Sequence, residues 1–214
     1  MLDETNLTAA LEALGYKRVK RRKYAFAKFA PDVEDFLYFQ SWGIGQYFVS
    51  ADFGFGNRAA RDFGMAMLLK YGHPAFAEFR DKMSDSNTLM RFPIHRFTSM
   101  RDRPWRNDKS DPSDVSGQIA SFVATYHLPF ARALGDLSAL LARLMTDGEP
   151  CPWFATNAAA RSAAIVLLAK RTGQSADFVR KAIAPRETLM KRELAPSVSL
   201  HEYVEALFKE AGFA

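Results

Sequence analysis

The chain has 214 residues, of which 48% are hydrophobic and 18 are phenylalanine, and its formal net charge is +5. This composition provides enough apolar material for a folded core and is too hydrophobic for an intrinsically disordered chain. Its single cysteine excludes an internal disulfide, and its longest purely apolar run, 163–169, is far shorter than the roughly 20 residues of a membrane-spanning helix. The composition therefore predicts a cytoplasmic protein that has no membrane segment.

The N-terminal part of the chain predicts a helix followed by an antiparallel meander. Asp3 or Thr5 can cap the helix, and leucines at helical spacing give it one apolar face. Three segments with strand character follow at 19–29, 36–42 and 47–55, joined by short turns. Short connections of this kind are typical of antiparallel neighbours.

Two helices and a fourth strand complete this half of the chain. The sequence predicts helices over 57–70 and 74–83, the second of them beginning with a proline, and a strand over 89–98. The segment 99–114 contains two prolines and many charged residues, which predicts a long exposed loop.

The remainder of the chain predicts helices. The first spans 115–126, and Pro129 either starts a new helix or kinks the old one. Ser199 and Glu202 have the spacing of a capping box before the last helix. The fold class is therefore α+β: an antiparallel sheet of about four strands packed against helices, with a helical C-terminal third. We predict one domain over 1–214, with the helix, meander and inserted helices in 1–113 and the helical part in 114–214.

Motifs for catalysis, cofactors and metals are missing from the sequence. Gly43-Ile44-Gly45 lacks the third glycine of a dinucleotide fingerprint, and there is no GxSxG elbow. The four histidines are far apart, and Cys151 has no CxxC partner. We therefore predict no catalytic residue, no metal site and no cofactor.

An arginine-rich segment that contains a tryptophan is the strongest candidate for function. Arginine and tryptophan often provide most of the binding energy at interfaces. Alternatively, Trp105 packs beneath the loop and only stabilises its conformation. The predicted binding residues lie in this segment or on the aromatic strand: Gln40, Trp42, His95, Arg96, Arg101, Asp102, Arg103 and Trp105. The leading hypothesis is a non-enzymatic binding or interaction module with a protein partner and no membrane partner. The sequence specifies no oligomeric state.

Two other functions remain open. An enzyme with a site assembled from distant residues would use His95, Asp102 and Gln40. A nucleic-acid binder would use the run Lys17–Lys23, in which six of seven residues are basic. Nucleic acid is the less favoured partner, because basic residues at the start of an edge strand also discourage edge-to-edge pairing.

The order of short motifs resembles the bacterial domain-of-unknown-function 4304 family. The motifs are 14–17 (Leu-Gly-Tyr-Lys), the aromatic strand with Gln40, 51–54 (Ala-Asp-Phe-Gly), 102–105 (Asp-Arg-Pro-Trp) and 128–130 (Leu-Pro-Phe). The resemblance implies a bacterial protein with a leading helix, an antiparallel sheet and C-terminal helices. It implies no activity and no catalytic residues. Two features depart from the family pattern: an inserted helical stretch at 57–83 and Arg106 where a second tryptophan is common.

Overall fold

The computed structural model describes residues 3–19, 24–42, 48–78, 89–93, 105–106, 112–146 and 157–213. Their helices are α1 (Glu4–Glu12), α2 (Arg58–Tyr71), α3 (Ala75–Glu78), α4 (Pro112–Phe122), α5 (Leu128–Ala133), α6 (Leu137–Met145), α7 (Ala158–Arg171), α8 (Ala176–Ile183), α9 (Glu187–Glu193) and α10 (Leu200–Glu210). Their strands are β1 (Lys17–Arg18), β2 (Ala25–Phe29), β3 (Glu34–Trp42), β4 (Phe48–Gly56), β5 (Met90–Pro93) and β6 (Trp105–Arg106). The predicted α+β class with a helical C-terminal region is confirmed.

The chain divides into two compact units, and both are discontinuous in sequence. Unit 1 contains Met1–Phe55 and Arg91–Gly135, and unit 2 contains Gly56–Met90 and Asp136–Ala214. The sequence predicts a division of the domain into 1–113 and 114–214. The two compact units do not follow that division, because each unit contains helices from both parts of the chain. The prediction of one domain over 1–214 stays a prediction.

The sheet belongs almost entirely to unit 1. Its strands follow the order β1-β2-β3-β4-β5, and β6 also pairs with β4. The pairs β1–β2, β2–β3 and β4–β6 are antiparallel. Four of the strands have four to nine residues and β1 and β6 have two each, so the estimate of about four strands describes the longer ones.

The predicted strand 19–29 is wrong in one respect, because the chain turns within it. Lys17 and Arg18 pair with Ala27 and Phe26, so β1 and β2 form a hairpin. Strands are recognised by alternating apolar and polar residues, and a run of basic residues has no such alternation. The sequence pattern therefore could not show where the first strand ends and the turn begins.

Both faces of the sheet are buried over the described part of β3. Leu37 and Phe39 lie on one face, Phe36 and Tyr38 lie on the other, and all four are at most 9% exposed. Residues 34–39 therefore leave neither face of the sheet open to a partner.

The first helix forms as predicted. The Asp3 side chain accepts hydrogen bonds from the backbone N–H groups of Thr5 and Asn6, which caps the N-terminus. Leu7 and Leu11 are fully buried on the apolar face. Gly15 has φ of 86°, the left-handed conformation that lets the chain leave the helix.

A π-turn, Val123–His127, joins α4 to α5. Pro129 has no N–H and cannot donate to the carbonyl four residues earlier, so an uninterrupted α-helix would lose a hydrogen bond here. The wider turn accommodates the proline, and Pro129 lies in the first turn of α5, as predicted.

Unit 2 is organised around α7, whose residues 159–166 are all buried. Helix α2 approaches it closely at Gly64, where an added Cβ would lie 2.6 Å from the Ala160 carbonyl oxygen. The N-caps of α2, α7 and α10 are Asn57, Asn157 and Ser199. No helix in the described part of the chain is long and apolar enough to cross a bilayer.

Candidate functional site

The turn that connects β1 to β2 lies at one end of the sheet. The backbone N–H of Val19 donates to the Ala25 carbonyl at 2.8 Å, and the N–H of Phe39 donates to the Tyr24 carbonyl at 2.9 Å. The chain therefore leaves β1 and re-enters β2 beside the C-terminal part of β3. Gln40 and Trp42 follow Phe39 on that part of the strand.

The connection between β3 and β4 is at the same end. Trp42 is the last residue of β3, Phe48 is the first residue of β4, and the two strands are neighbours in the sheet. Only residues 43–47 separate them, a length typical of an antiparallel hairpin.

Strand β6 places Trp105 and Arg106, the described end of the arginine-rich segment, at this end of the sheet. Trp105 pairs with Val49, and Arg106 pairs with Phe48. The prediction of one long exposed loop over 99–114 is therefore wrong at Trp105 and Arg106, and again from Pro112, where α4 begins. A strand of two residues has no periodicity from which it can be recognised.

These contacts define a group of backbone positions that we call the turn end of the sheet: Tyr24, Gln40, Trp42, Phe48, Trp105 and Arg106. The backbone brings together three of the predicted binding residues, Gln40, Trp42 and Trp105, on strands β3 and β6 that both flank β4. The other five predicted residues lie outside the described residues: His95, Arg96, Arg101, Asp102 and Arg103. Since two of its three members are in that group, the enzyme hypothesis of Gln40, His95 and Asp102 stays a prediction.

The basic run Lys17–Lys23 is described over its first three residues. Lys17 and Arg18 are exposed on β1, the strand at the end of the sheet order, and Arg18 forms an ion pair with Glu4. This position agrees with charged residues that protect a sheet edge. Residues 20–23 lie outside the described residues, and the nucleic-acid hypothesis stays a prediction.

A buried polar cluster of three side chains was not predicted. The Tyr16 hydroxyl donates to Asp35 Oδ2 at 2.5 Å, and His127 Nε2 lies 2.6 Å from Asp35 Oδ1. Because carboxylate oxygens accept, we assign the proton of this second bond to Nε2. We call these residues the Tyr-Asp-His cluster.

The Tyr-Asp-His cluster is sealed by aromatic rings. The His127 ring centroid lies 4.0 Å from that of Phe53 and 5.4 Å from that of Phe55, and His127 is fully buried. Burial raises the pKa of Tyr16 above its ordinary range, and the neighbouring Asp35 carboxylate raises it further. His127 Nδ1 has no hydrogen-bond partner among the described residues.

Burial decides what this cluster can do. A general base must reach the proton that it removes, and a fully buried imidazole cannot reach a substrate in this conformation. The cluster instead joins the segment between α1 and β1, strand β3 and the π-turn, which is a structural role. A histidine directly before Leu128-Pro129 was the one sequence feature near it, and nothing in the sequence connects that histidine to Asp35.

Unit 2 buries polar side chains at the ends of its helices. Arg161 and Arg186 donate to carbonyl groups of residues 144–146 at the C-terminus of α6. At the N-terminus of α7, the Glu193 carboxylate accepts from Ala158 N at 3.0 Å and from Ala159 N at 2.7 Å. These charges match the partial charges of helix ends. Their arrangement supports the fold of unit 2 and provides no visible reaction centre.

No family model, curated protein or solved structure matches this chain. The resemblance to the domain-of-unknown-function 4304 family therefore stays a prediction.

Proposed function

We propose that this protein is a non-enzymatic binding module of the cytoplasm and that it binds its partner at the turn end of the sheet. The observation that supports the proposal is the pairing of Trp105 and Arg106 with Val49 and Phe48. Trp105 and Arg106 are thereby paired with β4, the strand next to the one that contains Trp42.

Two physical arguments favour binding at this place. Tryptophan and arginine are the side chains that most often provide binding energy at interfaces. Backbone pairing with β4 also orders the main chain of Trp105 and Arg106 before the partner arrives, so less backbone entropy is lost on binding.

The buried and half-buried ionisable groups favour binding over catalysis. In unit 1, Tyr16, Asp35 and His127 bond to one another away from solvent. In unit 2, Arg161, Arg186 and Glu193 bond to helix ends. Each of these groups has a structural role, whereas catalytic groups must face a substrate.

The proposal is tested by placing a photoreactive phenylalanine analogue at position 105 and, in a matched control protein, at position 189. Leu189 is 52% exposed on α9 of unit 2 and serves as an exposed position outside the turn end. After irradiation in cell extract, we expect a discrete cross-linked partner from position 105 and none from position 189. Equal labelling at both positions, or no product at position 105, contradicts the proposal.

A further inference from the structure

Helices α8 and α9 repeat one sequence pattern. Residues 178–183 are Phe-Val-Arg-Lys-Ala-Ile, and residues 189–194 are Leu-Met-Lys-Arg-Glu-Leu. Each copy has two apolar residues, two basic residues, one intervening residue and a last apolar residue. The copies are 11 residues apart, and 11 residues are close to three full turns of an α-helix.

The chain from α8 to α9 runs back along α7. Helix α8 begins after residues 172–175, which follow the C-terminus of α7. At the end of α9, the Glu193 carboxylate accepts from Ala158 N and Ala159 N in the first turn of α7. Both helices also contact α7. Residues 176–193 therefore follow α7 from one end to the other.

Burial divides both copies of the pattern in the same way. The second and sixth residues of each copy are at most 5% exposed: Val179, Ile183, Met190 and Leu194. The fourth residue, Lys181 or Arg192, is two positions from both buried residues of its copy, and two positions are about 200° of helical rotation. Lys181 and Arg192 therefore lie on the outer side of their helices, and both are exposed.

The exposed basic residues of the two copies form a surface that we call the basic ridge: Arg180, Lys181, Lys191 and Arg192. Arg180 forms an ion pair with Glu205 at 3.0 Å. The other three form no ion pair within the described part of the chain. Asp177 and Glu187 are the exposed carboxylates of residues 176–193, so the cations of this segment outnumber its exposed carboxylates.

The connection between α7 and α8 resembles that of a helix-turn-helix. Four residues, 172–175, separate the two helices, and Gly173 among them has φ of 74°. The Ser175 side chain caps α8 by accepting from the Phe178 N–H. A short turn that contains glycine is typical of this motif, whose second helix enters the major groove of DNA.

The dimensions of the basic ridge suit duplex DNA. Eleven helical residues are about 17 Å long, which sets the separation of Lys181 and Arg192 along the ridge. One DNA strand carries about five phosphates over that length, since it rises about 3.4 Å per phosphate. A helix with its side chains is about 10–12 Å wide, and the major groove of B-DNA is about 12 Å wide.

We propose that the basic ridge binds the phosphate backbone of duplex DNA, with α8 at the major groove. This function goes beyond the proposed one, because the ridge belongs to unit 2 and shares no residue with the turn end. Lys181, Lys191 and Arg192 can each neutralise a phosphate and release its counterion.

An anionic membrane is the other extended polyanion that basic helices bind. A helix that lies in a membrane surface directs its large apolar residues toward the lipid. Phe178 and Leu189 are 39% and 52% exposed, but each directly precedes a buried residue and lies at the flank of its helix. Because Lys181 and Arg192 occupy the outermost positions, the ridge favours the phosphates of a duplex.

The first test measures binding of a fluorescently labelled duplex of about 20 base pairs, roughly two helical turns, by anisotropy. We expect binding at about 50 mM salt and a linear fall of log affinity as log salt concentration rises. The double variant Lys181→Gln/Arg192→Gln should reduce the slope of that line by about 2, one for each lost phosphate contact.

A control variant with the same loss of charge separates the ridge from general electrostatics. Lys28→Gln/Arg132→Gln also removes one lysine and one arginine from exposed positions, and both positions are in unit 1. It should change the slope by less than about 0.5. No binding of the wild-type protein to the duplex at low salt, or equal slopes for the two variants, overturns the inference.

A competition experiment identifies the polyanion. Unlabelled duplex, a single strand that cannot pair with the probe, and vesicles of phosphatidylcholine and phosphatidylserine in equal amounts are each added to the labelled complex. We expect the duplex to displace the probe at the lowest phosphate concentration. Displacement by the single strand or the vesicles at an equal or lower phosphate concentration would show a general anionic surface and overturn the duplex assignment.

The basic ridge and the turn end can fail separately. Position 189 is on α9 next to the ridge, so the extract used for photocross-linking at positions 105 and 189 is first treated with nuclease. If the duplex does not bind and position 105 still captures a partner, the proposed function stands and the duplex inference fails. Duplex binding without a product at position 105 has the opposite meaning.

Discussion

The two units bury polar side chains in different ways. In unit 2, Arg161, Arg186 and Glu193 bond to backbone groups at helix ends, so each has a partner set by secondary structure. In unit 1, Asp35 on β3 bonds to Tyr16, which lies between α1 and β1, and to His127 of the π-turn. The comparison teaches that buried charge in this chain supports the fold in both units. In unit 1 that support depends on contacts between residues far apart in sequence.

The largest expected effect is at the centre of the Tyr-Asp-His cluster. Asp35→Ala removes the acceptor of two buried donors, and each unsatisfied donor is costly in a site closed to water. We expect a loss of about 4 kcal/mol in the free energy of unfolding, measured by chemical denaturation. Asp35→Asn retains the size of the side chain and one oxygen acceptor, and should lose about 2 kcal/mol. Equal losses for the two variants would show that hydrogen bonding is not the cause.

The matching change in unit 2 should cost less. Arg161→Met keeps an unbranched apolar stem and removes the hydrogen bonds to the carbonyls of Leu144 and Thr146. Arg186 also donates to the Leu144 carbonyl, at 3.4 Å, so that carbonyl keeps a donor. We expect a loss of about 3 kcal/mol in the same denaturation measurement. A loss larger than that of Asp35→Ala would reverse the comparison between the units.

Sequence rules predicted the local features well and missed the distant ones. Asp3 and Ser199 cap helices where the sequence predicted caps. Those caps depend on side chains within three residues of the backbone groups that they bind. The fold class could also be predicted, because the spacing of apolar residues in helices and strands is likewise a local pattern.

The misses depend on contacts that a local pattern does not contain. Asp35 and His127 are 92 residues apart, and neither residue type indicates the other. Trp105 and Arg106 form a strand only because β4 offers them backbone partners. The sequence therefore predicted three members of the turn end as separate candidates, and tertiary pairing was needed to place them together.

Two helical glycines offer a smaller contrast between the units. Gly64→Ala places a Cβ 2.6 Å from the Ala160 carbonyl oxygen, so α2 and α7 must move apart. We expect a loss of about 2 kcal/mol in unfolding free energy. Gly117 on α4 is exposed, and no atom lies within 4 Å of an added Cβ. Gly117→Ala should therefore stabilise by about 0.7 kcal/mol through helix propensity, and destabilisation by both changes would contradict this explanation.

The smallest expected effect is a change in pH dependence at Glu193. Burial raises the pKa of Glu193, and the hydrogen bonds from Ala159 and Ala158 only partly oppose that shift. The folded protein then binds a proton more tightly than the unfolded chain, whose Glu pKa is about 4.3. The contribution of Glu193 to stability should accordingly increase as pH falls through the raised pKa, and level off below about 4.3.

Glu193→Gln has no titrating group and should flatten this part of the profile of unfolding free energy against pH. Glu187→Gln, an exposed change six residues earlier, controls for the loss of one negative charge and should leave the profile as in the wild type. If both variants give the same profile, the response arises from net charge and not from the carboxylate at the N-terminus of α7.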